Sequence, residues 1–185
     1  MEIDRALSDR RQSLLALWQK KMLEIYPADS ARFYSTEKNA FANPVGQTIT
    51  GQSAALLDLV LGGGKPCEVA AVLEPIIRIR AVQDFSPSVA LAFVPMLKAV
   101  MREELQDLLT DPSSASELSA LDARVDEVLL TAVDIYVHCR EEVAAIRVRE
   151  TSRHVSGLLR RFGVTESTNG EELAEMVQLG RHSNR

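Results

Sequence analysis

Apolar residues recur at helical spacing along most of the chain. In Leu7–Tyr26, Leu14, Leu15, Trp18, Met22 and Ile25 share one side, with Lys20 and Lys21 between them on the other. This predicts an amphipathic helix ending before Pro27, because the residue ahead of a proline disfavours helical backbone. Residues 27–42 read as a connector with room for one helical turn around Ala31–Tyr34. A second helix opens at Asn43-Pro44, where asparagine suits the N-cap and proline the first helical position. It passes through Ala54, Leu56, Leu57 and Val60 and stops at Gly62-Gly63-Gly64. A third starts near Pro66 and carries Val69, Val72, Leu73, Ile76, Ile77 and Val82, with Pro75 inside as a potential divider. Ser86-Pro87 repeats the cap-then-proline signal and begins a helix from about Ser88 to Leu109, which Pro95 should kink or split.

The last pattern is the longest. Leu121, Val125, Val128, Ala132, Ile135, Cys139, Val143 and Ile146 follow one another by three or four residues, and no glycine or proline intervenes from Ser113 until Gly157. A helix of roughly 40 residues is about 60 Å long. Its C-terminal half is therefore expected to project beyond the body. No segment fits a strand better than a helix, so the fold class is all-α. Residues 164–185 are a polar tail, expected to be partly disordered, with one short amphipathic piece around Leu173, Met176 and Val177.

Composition narrows the function classes. Aromatics make up only 5%, so the core must be built from aliphatic side chains. A net charge of −5 argues against a dedicated nucleic-acid binder, whose footprint is basic. The charged start Met1-Glu2-Ile3-Asp4-Arg5 lacks a signal-peptide core, and no apolar run approaches the roughly 20 residues of a membrane span. Two cysteines cannot form a disulfide framework or a four-thiolate metal site. A cytoplasmic protein is the expectation.

Few residues invite chemistry. Gly62-Gly63-Gly64-Lys65 lacks both the Ser or Thr after the lysine and the preceding strand of a phosphate loop, and reads as a helix connector. His138, His154 and His182 form no metal-ligand spacing. His138 lies beside the apolar stripe, so haem ligation is not expected, and neither is any other cofactor. Cys67, one residue inside a helix start and near Lys65, is a candidate redox thiol. Arg102-Glu103-Glu104 and Arg140-Glu141-Glu142 read as solvated helix faces, and no catalytic constellation can be nominated. Arg147, Arg149, Arg153, Arg160 and Arg161 oppose a single acid, Glu150, the pattern of an anion-binding or nucleic-acid-binding helix. The same stretch spaces Val148, Val155 and Phe162 by seven residues, with Leu158 between, as in a short coiled coil. A homodimer seam of Val148, Val155, Leu158 and Phe162 is the preferred reading.

Two stretches, Phe41-Ala42-Asn43-Pro44-Val45-Gly46 and Ile77-Arg78-Ile79-Arg80-Ala81-Val82-Gln83-Asp84-Phe85-Ser86-Pro87-Ser88, resemble the N-terminal domain of RsbT co-antagonist proteins of the RsbRD type. Arg102-Glu103-Glu104-Leu105 and Tyr136-Val137-His138-Cys139-Arg140-Glu141 continue the likeness, which covers roughly residues 8–150. The resemblance implies a globin-like fold without haem, acting as a dimeric, stressosome-like sensor whose last helix leads to a STAS domain. Only 22 residues follow Gly163, against the about 100 such a domain needs, so a module acting through another protein is expected. The expected organisation is a globin-like domain at 1–146, a projecting helix at 147–163 and a tail at 164–185. A small apolar or anionic ligand would sit between the helices carrying Ile76, Ile77, Phe85, Phe93 and Val133. A haem or other cofactor globin and an assembly factor for a larger complex are the alternatives.

Overall fold

A computed structural model describes residues 2–109 and 114–161; among these are eight α-helices and no strand. They are α1 (Glu2–Asp9), α2 (Arg11–Leu23), α3 (Ala28–Thr36), α4 (Pro44–Gly62), α5 (Pro66–Val82), α6 (Pro87–Leu91), α7 (Phe93–Glu104) and α8 (Ser114–Arg161). The chain divides into two units, the second beginning at Ala144. In the first unit, α4 packs on α5, and α2 packs on both α7 and α4. The apolar stripe of α8 joins the same core through Leu121, Val125, Val128, Ala132, Tyr136 and Cys139.

Local chemistry accounts for the boundaries. At the start of α4, Asn43 accepts from the Gly46 N–H at 2.8 Å, while its amide donates to the carbonyls of Tyr34 (3.0 Å) and Glu37 (2.9 Å). One fully buried side chain thus satisfies orphan groups at the end of α3 and the start of α4. Gly46 is required for this: a Cβ there would lie 2.4 Å from the Tyr34 carbonyl oxygen. The helix stops at Gly63, whose φ of 70° is the left-handed conformation glycine adopts without cost.

The expected first helix is two. It breaks at Arg10, whose guanidinium reaches the Glu104 carbonyl and both oxygens of Asp107. It also ends at Leu23, earlier than expected, in a tightened turn where the Tyr26 N–H bonds the Leu23 carbonyl. The connector at 27–42 contains a nine-residue helix, α3, in place of a single turn. Pro75 does not divide α5. Its missing N–H frees only the carbonyl of Ala71, an exposed residue where water can substitute. Pro95 does split its helix, because it cannot bond the Leu91 carbonyl; the helical hydrogen bonding is interrupted at Ala92, between α6 and α7. The last helix is continuous over 48 residues. The expected tail at 164–185 lies outside the described residues.

Candidate functional site

Arg80 is the least ordinary residue of the interior. Only 1% of its surface is exposed, yet no carboxylate pairs with it among the described residues. Its Nη1 donates to the Ala90 carbonyl at 2.9 Å and its Nη2 to the Met22 carbonyl at 3.2 Å. Those oxygens lie at the C-terminal ends of α6 and α2, where helix dipoles concentrate negative potential and carbonyls lack intrahelical partners. The guanidinium also stacks over the Phe93 ring, 4.8 Å from its centroid, and Phe93 in turn stacks on Trp18. A buried cation is therefore held by two helix ends and an aromatic face. Burial lowers its pKa, with Tyr26 acting in the opposite direction. Nε has no hydrogen-bond partner.

The segment that follows is clasped by α8. Tyr136 donates to the Phe85 carbonyl at 2.6 Å, and Arg140, one turn later, bonds the Ala81 carbonyl (3.0 Å) and Asp84 (2.5 Å). Asp84 has a positive φ of 59°, a conformation that aspartate adopts more readily than most side chains. Arg78 adds a bridge to Glu142 at 2.8 Å. The stretches Ile77–Ser88 and Tyr136–Glu141, far apart in sequence, thus meet in space. The two charged runs read as solvated faces do more than that: Arg102 pairs with Asp122, Glu103 with Lys21, Arg140 with Asp84 and Glu142 with Arg78.

Two cavities accompany this core. One, of about 210 Å³, lies beside the Gly63-Gly64 turn against Val69, Arg124 and Val128. The other, of about 430 Å³, is a groove between α2, α3 and α4 with Leu23 and Ile49 in its wall and Lys20, Arg32 and Glu24 around it. None of the five residues expected to surround a ligand lines either one. Ile76, Ile77 and Phe93 are buried in the core, and Phe85 is half-buried against Tyr26. Val133 is 40% exposed, because Ala132 and Tyr136 occupy the inward positions on that turn.

Cys67 is exposed and Cys139 buried, both free. His138 is exposed, with Glu142 at 3.4 Å. Among the described residues no group of His, Cys, Asp or Glu could hold a metal ion, and no helix is long and apolar enough to cross a membrane.

In the second unit, Val148, Val155 and Leu158 are 65%, 49% and 45% exposed. At about 100° per residue they fall within one arc of the helix, with Arg149, Arg153 and Arg160 on the opposite side. Phe162, the fourth expected seam residue, lies outside the described residues.

The buried Arg80 and the groove were not anticipated from sequence. A signal for the first existed: Val69, Leu73, Ile76 and Arg80 continue one inward stripe by steps of four, three and four.

No curated protein and no solved structure matches this chain. A family model does, that of the RsbT co-antagonist protein RsbRD N-terminal domain, over residues 12–151. That span is most of the chain and holds all but the first residue of α2, all of α3 to α7, the buried Arg80 and the clasp of α8 around it. The chain belongs to the RsbRD N-terminal domain family, a family of signalling-related regulatory domains.

Proposed function

We propose that this protein is a non-enzymatic regulatory module, a non-haem globin-like sensor domain that works as a homodimer and passes its state to a partner protein. The observation that carries the reading is the row of exposed apolar side chains Val148, Val155 and Leu158 on α8. Fully burying a valine or leucine is worth about 1.5–3 kcal/mol, so half-exposed residues of this kind gain by meeting a like surface. A two-fold pairing supplies one from the same chain. The arginines on the opposite side of the helix stay in water and do not oppose the contact. Leu130, Val133 and Val137, also exposed on α8, offer further contact within the first unit. Family membership supports the signalling role, and the two free cysteines suit a reducing cytoplasm. Truncation after Arg147 tests the pairing: the dimer should weaken while the helical circular-dichroism signal of the first unit persists. A truncated form that dimerises equally well would contradict the reading.

A further inference from the structure

The apolar row of the second unit sits on a strongly basic helix. Val148, Val155 and Leu158 are 65%, 49% and 45% exposed, so each keeps surface that a neighbour can cover. From Ala144 to Arg161 the helix carries five arginines and one acid, Glu150, a net charge of +4. Arg149, Arg153, Arg160 and Arg161 have no ion-pair partner among the described residues. A second copy supplies apolar contact to this row but no opposite charge. An acidic amphipathic segment supplies both.

The chain contains such a segment. Residues 164–180, outside the described residues, hold Glu166, Glu171, Glu172 and Glu175 and no lysine or arginine, a net charge of −4. Thr168 followed three residues later by Glu171 is the spacing of a capping box, and Leu173, Met176 and Val177 follow at helical spacing. The lengths match as well. Residues 162–170 can span up to about 30 Å, whereas Arg161 lies about 20 Å along the helix from Val148.

We propose that residues 171–179 fold back as a short amphipathic helix along the second unit of α8, where Leu173, Met176 and Val177 cover Val155 and Leu158 and compete with a second copy for that row. The attachment sets an effective concentration near the millimolar level for a short flexible linker, whatever the amount of protein. Pairing of two chains rises with protein concentration, so the segment holds the row closed in dilute protein and yields it in concentrated protein. The competition rests on the homodimer reading above; the docking needs only the exposed row.

The test is hydrogen exchange of the full chain, read by mass spectrometry beside Leu173→Asp/Met176→Asp and Val155→Glu/Leu158→Glu. Amides of 171–179 should exchange at least about tenfold more slowly in the parent chain than in either variant, equally so on dilution, with exchange in the first unit the same in all three. Added salt should reduce the protection, because the charges involved are exposed. Docking is overturned if 171–179 exchange as fast in the parent as in the variants, if the protection survives in Val155→Glu/Leu158→Glu, or if it fades on dilution, which would place the segment on a second chain. In sedimentation equilibrium Leu173→Asp/Met176→Asp should dimerise at least about tenfold more tightly than the parent, and a dimer no tighter than the parent's overturns the competition. Protection of 171–179 in a parent chain that stays monomeric, as its tail variant does, would remove the dimer reading and leave the docking standing.

Discussion

Arg80 donates to the Met22 carbonyl at 3.2 Å across the interior, joining the end of α5 to the end of α2 without a carboxylate between them. Replacing a buried charged pair by apolar residues is often neutral, because the desolvation penalty is recovered. Here the outcome should differ. Arg80→Met would leave the Met22 and Ala90 carbonyls without the donor they share. A loss of about 2–6 kcal/mol in urea-induced unfolding is expected, about 1–3 for each of the two buried groups left unpaired. Arg80→Lys, which keeps the charge but not the fork, should fall between.

The N-terminus of α4 predicts opposite effects for two glycines. Gly46→Ala forces a methyl group against the Tyr34 carbonyl and the Asn43 amide, so it should destabilise more than Asn43→Ala, itself about 1–2 kcal/mol. Gly51 is exposed in the middle of the same helix, with no atom near where a Cβ would go. Gly51→Ala should stabilise by roughly 0.5–1 kcal/mol. Thermal unfolding of the three variants checks the order.

Asp107 titrates at about 2, held down by its hydrogen bonds from Arg10. A carboxyl depressed in the folded state contributes stability above its unfolded value of about 3.9 and loses it as pH falls toward the folded one. The stability difference between the parent chain and Asp107→Asn should be constant above about pH 5 and close as the pH approaches 2. The pair is exposed, so the difference should be small and shrink with added salt.

Cys67 should react with a thiol reagent well before Cys139 under native conditions. Cys67 is exposed, while Cys139 is buried and its pKa is raised by that burial. Equal rates, followed by mass spectrometry, would mean that α8 opens readily around Cys139.

Much of this architecture was legible in the residues. Asn43-Pro44, Gly63 and the long stripe from Leu121 to Cys139 act locally, through capping, φ and periodicity, and their elements stand where the pattern put them. What escaped depends on distant partners. The break at Arg10 needs Glu104 and Asp107, which lie more than ninety positions away. Arg80 is tolerated inside only because two helices end beside it. The groove is not legible in the sequence because α3, one of its walls, lies in a stretch whose residues show no strong helical pattern. Of the residues expected around a ligand, Ile76, Ile77 and Phe93 are buried in the core while Val133 turns outward, because spacing alone does not say which side of α8 meets the body.

Pairing of two chains through α8 is checked by sedimentation equilibrium of the full chain at micromolar concentration, beside Val155→Glu/Leu158→Glu. Both positions are exposed, so the charges should leave the fold of each chain intact. The parent protein should sediment at twice the chain mass of 20.4 kDa, and the variant should shift toward the monomer. A parent chain that sediments as a monomer, or a variant that remains as dimeric as its parent, would contradict it.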